Sequence, residues 1–371
     1  MEKFDLTYAT VDSLSEGVGS SQIAPLMEKL SANGMKINLI SFEKNSPPIT
    51  LIERMESAGV QWTQIPFGNF GLLGGLERTI RLSRSIQDST LVHARSDFPA
   101  VAARFGGHSR ILWDVRSLWA DQRKFLEESQ IKRRVLSMYS TFEDLACSSS
   151  IALSTLTKAV VPVLEHRHKN LPKIRTVVPT AVDLNRFRLS SKMPAKLRGL
   201  YSGTYNKYYD LELSHRFIQV LRKLVSCEID WAKPKESQIL SLDSGEHYTF
   251  SVTQPEMASL MANYSFGLSV CNENAGQSLK AAMPTKIAEF LAIGRPVVVN
   301  VGLGDCDEIL QSSGTGVILS RSDNLESKAI ELIELCQDLT TPNRCREIAL
   351  SNFSLDSGVE RYQEIYKSML S

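Results

Sequence analysis

At 371 residues, with 43% hydrophobic and 22% charged residues, the chain is long enough for two domains that each bury a core. Lys and Arg number 42 against 41 Asp and Glu, a net charge of +1, which gives no support to nucleic-acid binding, whose usual footprint is a strongly basic domain. A local basic patch docking on a membrane surface is compatible with that balance.

Residues 4–11 are rich in β-formers, and the loop 11–22 carries Gly17 and Gly19 ahead of a helical pattern over 23–32. Strand, glycine loop and helix in that order describe a mononucleotide-binding turn. A tight turn onto a helix also needs glycine for steric reasons alone. Next come strand 36–43, helix 49–58, strand 60–67 and a helix over 74–87. This alternation predicts a parallel, doubly wound sheet.

Two later runs pass from apolar residues straight into ionisable ones: L-V-H-A-R-S at 91–96 and I-L-W-D-V-R-S-L-W-A-D at 111–121. In open parallel sheets ligands bind off the carboxyl ends of strands, so His93, Asp114 and Arg116 are candidate catalytic residues. The bland alternatives are a satisfied structural histidine and a buried ion pair. Trp119 suits stacking on a ligand ring and a core equally.

Residues 131–148 are expected as helix, 151–156 as strand, and 174–187 close the first half. A linker rich in Ser, Lys, Met and Pro follows over 189–198. The sheet then restarts with strand 200–205, which ends in Gly203 and leads to Lys207. Helix 211–224, strands 227–232 and 248–253, a helix from Gln254 and strand 266–270 rebuild the alternation. The polar loop 272–282 has Glu273 as its one carboxylate.

That loop leads into P-T-K-I-A-E-F-L-A-I-G-R-P-V-V-V-N at 284–300. Pro284 suits a helix start, which puts Thr285 in the first turn, and Gly294 suits the stop. Ile287, Phe290 and Leu291 would form the buried face. Free amides at the start attract phosphate, with Lys286 adding a point charge, and Glu289 one turn deeper could accept both hydroxyls of a ribose. The alternative is a Lys286–Glu289 pair on a solvated helix. A glycine turn and a further helix follow over 301–309, and a last helix is expected over 357–370.

This stretch closely resembles the donor-nucleotide helix of GT-B glycosyltransferases of family four, whose pattern P-[ST]-K-x-x-E-[YF]-L-A-x-G-x-P-V-V it fills without a gap. The resemblance implies that Glu289 binds the ribose of a sugar nucleotide and that Lys286 lies by its phosphates. It implies that the Gly17–Gly19 loop approaches the diphosphate across an interdomain cleft and that Lys207 stands where a basic residue meets the phosphates. H-x-R-S and D-x-R-x-x-W-A-D are typical of a subgroup, which supports His93, Asp114 and Arg116. One departure matters: many members carry a first Glu eight positions before the second, and here that position is Ala281.

The expected architecture is therefore α/β, a GT-B fold of two Rossmann-like doubly wound domains facing a central cleft. Residues 1–188 form the acceptor side, 199–355 bind the nucleotide sugar, and 356–371 form a helix crossing back to the first domain. The expected activity is retaining transfer of a hexose-type sugar from a UDP- or GDP-sugar to a glycan, lipid-linked or small-molecule hydroxyl acceptor, with no cofactor and no metal. Catalytic roles fall to His93, Asp114, Arg116 and Lys207. Donor binding falls to Gly17, Gly19, Lys207, Glu273, Thr285, Lys286 and Glu289. A GT-B epimerase and a non-catalytic nucleotide-sugar-binding partner of a glycan complex are the alternatives.

Six scattered cysteines, Cys147, Cys227, Cys271, Cys306, Cys336 and Cys345, show no C-x-x-C or zinc spacing, so reduced thiols are expected. With no apolar signal segment at the start and no run of about eighteen apolar residues, the expected location is the cytoplasm, with its membrane's inner face open.

Overall fold

The computed structural model describes residues 3–68, 71–86, 88–202, 205–233, 246–250 and 254–371. The chain divides into two compact units: Met1–Pro179 together with Leu355–Ser371, and Thr180–Ser354. The ends of two expected strands (Gly203 and Thr204; 251–253) and of one expected helix (Gln87) lie outside the described residues.

In the first unit seven parallel strands, β1 (Phe4–Ala9), β2 (Ile37–Glu43), β3 (Val60–Pro66), β4 (Ser89–Arg95), β5 (Ile111–Val115), β6 (Ala152–Thr155) and β7 (Ile174–Val177), lie in the order β3-β2-β1-β4-β5-β6-β7. β2 is buried at every position, as a strand covered by helices on both faces must be. The order reverses between β1 and β4, and the loops after these two strands flank that switch point.

Helices depart from expectation in two places. The 131–148 pattern is two helices, Gln130–Met138 and Ser140–Ser149. They break at Tyr139, whose ring is held in a cluster with Phe98, Trp119 and Phe142. The run after β5, read as a polar cluster, is itself the helix Trp119–Leu126. The last helix, Leu355–Leu370, belongs to this unit and buries Leu355, Val359, Tyr362, Tyr366 and Met369, a stripe at helical spacing.

The second unit has six parallel strands, β8 (Leu197–Ser202), β9 (Cys227–Lys233), β10 (Glu246–Phe250), β11 (Phe266–Ser269), β12 (Val297–Asn300) and β13 (Gly316–Leu319), in the order β10-β9-β8-β11-β12-β13. Its core is built from Trp231, Phe217, Phe266, Leu221 and Val298 among others. Here the switch point lies between β8 and β11.

The segment expected as a linker lies inside this unit. Arg295, 0% exposed, spends its guanidinium on main-chain carbonyls of Ser190 (2.7 Å), Lys192 (3.0 Å), Tyr264 (2.7 Å) and Ala262 (3.1 Å). Arg346 donates likewise to Leu184, Phe187 and Ala292. Two arginines thus stitch 184–192 onto the unit, and β8 begins three residues earlier than expected, at Leu197.

Candidate functional site

The helix Thr285–Ala292 runs between β11 and β12, so its N-terminus opens at the carboxyl edge of the second sheet, beside the switch point. Pro284 precedes the first turn with extended backbone (ψ 130°) and no side chain caps the helix, so the Thr285 and Lys286 amides keep their hydrogen-bonding capacity, while Ile287 N–H donates to Pro284 O at 3.1 Å. Gly294 ends it in left-handed backbone (φ +83°), and Arg295 N–H closes back on Phe290 O at 2.9 Å.

Thr285 and Lys286 are half-buried in that first turn. Among the described residues Lys286 makes no ion pair, to Glu289 or to any other carboxylate. Glu289 is 2% exposed, inside a helix buried from Ile287 to Ala292. The solvated Lys286–Glu289 pair is therefore not what forms; a carboxylate is held inside the unit beside an uncapped helix start.

The rim around this start is cross-linked. Lys207 is exposed in the loop after β8, and its carbonyl accepts from Asn272 Nδ2 at 3.3 Å, which brings it next to the Glu273 loop. Glu273 is occupied: its carboxylate accepts from Arg321 N–H at 3.0 Å and lies 3.5 Å from Ser320 Oγ, which ties the loop after β11 to the loop after β13. Arg321 in turn donates two 2.8 Å hydrogen bonds to Asp210, the N-cap of helix Leu211–Leu224. Glu273 is thereby a brace of the rim. Asp210 and Arg321 did not stand out in the sequence; the one signal was an Asp directly before a helical pattern. Ala281, at the position of the first family Glu, is fully buried.

In the first unit the glycine loop is clamped from below by a residue that sequence reasoning missed. Glu43, 5% exposed at the end of β2, accepts from Ser13 Oγ (2.6 Å), Leu14 N–H (2.8 Å), Ser15 Oγ (2.8 Å) and Ser41 Oγ (2.6 Å). Gly17 takes left-handed backbone (φ +46°) with open space around it. Gly19 is a steric necessity, since a Cβ there would lie 1.9 Å from Ser13 O. Its amide already donates to Glu16 O at 3.0 Å, which takes it out of the set expected to meet a diphosphate.

His93, Asp114 and Arg116 are brought together, but not as an open trio. His93 and Asp114 are both 0% exposed. His93 Nε2 lies 3.2 Å from Asp114 Oδ2, out of line for a hydrogen bond, and its Nδ1 is 2.6 Å from the Tyr366 hydroxyl. Asp114 accepts from Ser154 Oγ (2.8 Å) and the Tyr362 hydroxyl (3.2 Å), with Arg116 at 3.7 Å and Arg95 at 3.9 Å. Burial alone would push the Asp114 carboxyl up, yet the charges of Arg116 and Arg95 work against it and the carboxyl is held well below the usual range. Burial lowers His93, so the ring stays neutral. The two tyrosines come from helix Leu355–Leu370, which closes over the strand ends, and the buried-ion-pair alternative describes the result. Arg95 Nε reaches forward to Asp12 at 3.0 Å, and next to it Ser96 (φ +82°) is the one non-glycine among the described residues with positive φ, a strained turn at the switch point.

No protein-family model matches the sequence, and no curated protein is recognisably similar to it. Solved structures do match along the whole chain. Sucrose-phosphate synthase from Thermosynechococcus elongatus superposes with a TM-score of 0.73 at 12% identity, covering 98% of each chain. A glycosyltransferase from Rickettsia africae ESF-5 gives 0.68 at 15% identity over 100% of each. WaaG, a glycosyltransferase involved in lipopolysaccharide biosynthesis, gives 0.69 at 13% identity, covering 97% of this chain and 99% of that one. Two Rossmann-like units of seven and six parallel strands with these neighbours define the GT-B fold. Among the described residues no helix is long and apolar enough to cross a membrane, and no group of three or more His, Cys, Asp or Glu is placed to hold a metal.

Proposed function

We propose that the protein is a glycosyltransferase of the family-four type that moves a hexose-type sugar from a UDP- or GDP-sugar to a hydroxyl acceptor with retention. The observation that carries this reading is the helix Thr285–Ala292: an uncapped N-terminus, a lysine with no ion pair in its first turn and a buried glutamate on its second, at the switch point of a parallel sheet. The diphosphate leaving group is stabilised by Lys286, Lys207 and the helix amides, and the acceptor hydroxyl attacks from the face the diphosphate leaves. Charge on the leaving group is met by these fixed cations and dipoles, so turnover is expected to persist in EDTA; full loss restored by manganese would contradict that.

Thermal-shift titration with UDP-, GDP- and dTDP-sugars tests the reading, since a ligand at about 100 times its dissociation constant adds about 2.7 kcal/mol. No shift with any of them, and no donor consumed with glycan or lipid acceptors, would sink it. Buried Ala281 favours a second reading, a nucleotide-sugar-binding partner without turnover. A shift without consumption of donor would select that one.

A further inference from the structure

The first unit contains a cavity of about 360 Å³ that neither the buried His93 cluster nor the glycine loop uses. Its size lies within the roughly 300–1,000 Å³ of small-molecule sites. Its lining includes Phe67, Arg78, Trp119, Arg123, Glu127 and Leu136. Trp119 is half-buried and fixed edge-on against Phe98 (4.8 Å) and Tyr139 (5.3 Å), so it forms a rigid aromatic wall.

Two cations face the same space from different helices. Arg78 lies 4.6 Å from the Phe67 ring centre and Arg123 5.6 Å from that of Trp119. Neither guanidinium has a hydrogen bond or ion pair to a described residue, whereas the arginines beside them are engaged: Arg81 donates to Glu77 and Pro66 O at 2.8 Å each, and Arg133 to Glu127 O at 2.6 Å. The one carboxylate in the wall, Glu127, accepts from Ser129 N–H at 3.0 Å and lies 3.8 Å from Lys132. Burial lowers the Arg78 pKa; the neighbouring Glu77 carboxylate opposes that shift and the charge of Arg123 adds to it. Two like charges gathered at one cavity, neither paired with a carboxylate among the described residues, form a receptor for an anion, and paired forks suit an oxyanion with three acceptor oxygens.

We propose that this cavity binds a phosphate carried on a ring compound, with Arg78 and Arg123 holding the phosphate and Trp119 facing the ring. That the compound is the sugar acceptor rests on the transfer reading above; the binding itself does not. The phosphate could belong to a soluble sugar phosphate or to a lipid headgroup.

Calorimetric titration of the full chain with glucose 6-phosphate, glucose and glucuronate tests the site, alongside co-sedimentation with phosphatidylcholine vesicles with and without phosphatidylinositol 4-phosphate. Glucose 6-phosphate is expected to bind, glucose and glucuronate at least about tenfold more weakly, and Arg78→Gln and Arg123→Gln each to weaken the phosphate at least about tenfold. Arg123→Lys, which keeps the charge and loses the fork, should fall between. Phosphatidylinositol 4-phosphate-dependent sedimentation lost in both Gln variants, without sugar-phosphate binding, would support the same site with a lipid source. Equal binding of glucose and its phosphate, or phosphate binding untouched in both folded variants, would overturn the proposal. UDP titrated in parallel separates the two readings: Gln variants that keep UDP and lose the phosphate leave the donor helix standing, and wild-type protein that binds the phosphate but no nucleotide fails the donor reading alone.

Discussion

Arg321 and Asp210 stand 111 residues apart and meet through two parallel hydrogen bonds of 2.8 Å. Asp210 is 3% exposed and also caps helix Leu211–Leu224 by accepting from Leu213 N–H at 3.0 Å. The arginine therefore fixes the loop after β13 to the loop after β8, while its main-chain N–H holds Glu273. Three strand ends of the second unit are braced around one donor–acceptor fork, which is how a rim of loops gains the rigidity of the sheet below it.

Arg321→Gln is expected to cost about 1–2 kcal/mol, the value of charge-assisted bonds discounted for a partly exposed arginine. Chemical denaturation checks it. In an Asp210→Asn background the same change should cost much less, and additive losses would show that the fork is not the link.

The Asp114 carboxylate satisfies Ser154 and Tyr362 and neutralises Arg116 and Arg95 in a fully buried place. Asp114→Asn leaves those cations without their buried counter-charge and should destabilise the first unit by about 3–5 kcal/mol. A variant with wild-type stability and no turnover would return Asp114 to the chemistry.

The two stretches with strong local punctuation were legible in sequence. Pro284 and Gly294 bracket a helix found at Thr285–Ala292, and the three valines after Pro296 form β12. What escaped sequence reasoning was whatever depends on a distant partner. His93 and Asp114 look available at their strand ends, but the tyrosines that bury them arrive more than 240 residues later, in a helix whose spacing names a buried face without naming its target. The 189–198 segment reads as a linker because Ser, Lys and Pro bury little; it is held by Arg295 through the main-chain carbonyls of Ser190 and Lys192, and a carbonyl leaves no mark in composition. Glu43 was hidden inside a strand run, where a carboxylate that serves four donors is spelled no differently from one at an edge.

Asp97 begins helix Asp97–Phe105 and is 4% exposed, and burial, with the charge of Glu143, pushes its carboxyl up to about 7 against an ordinary 3.8. A raised acid is favoured protonated in the folded state, so its contribution is fully present below about pH 4 and is lost as pH rises to about 7. Asn keeps an oxygen for the Trp113 Nε1–H bond of 3.0 Å. Asp97→Asn should therefore gain stability over wild type progressively between pH 4 and 7, by about 1.4 kcal/mol per unit, and hold that gain above. Melting curves across this range check it, and a difference that does not change with pH would refute the assignment.

Glu289→Gln is expected to harm donor binding far more than Glu347→Gln, a comparable loss of charge at an exposed position of the same unit. If the carboxylate accepts two ribose hydroxyls, each charge-assisted bond is worth about 1.5–3 kcal/mol and the amide keeps one acceptor oxygen. The expected loss is roughly 2–3 kcal/mol, or about 30- to 150-fold in affinity. A side chain 2% exposed also carries structure, so the melting temperature must accompany the titration: a folded variant with weak nucleotide binding assigns the glutamate to the donor. Glu289→Asp adds a second handle, because it keeps the charge but shortens the reach by one methylene. If the contact is direct it should bind less tightly than wild type. Nucleotide affinity within about threefold of wild type in folded Glu289→Gln would remove the ribose contact and leave Lys286 and the helix start as the donor's only support on this helix.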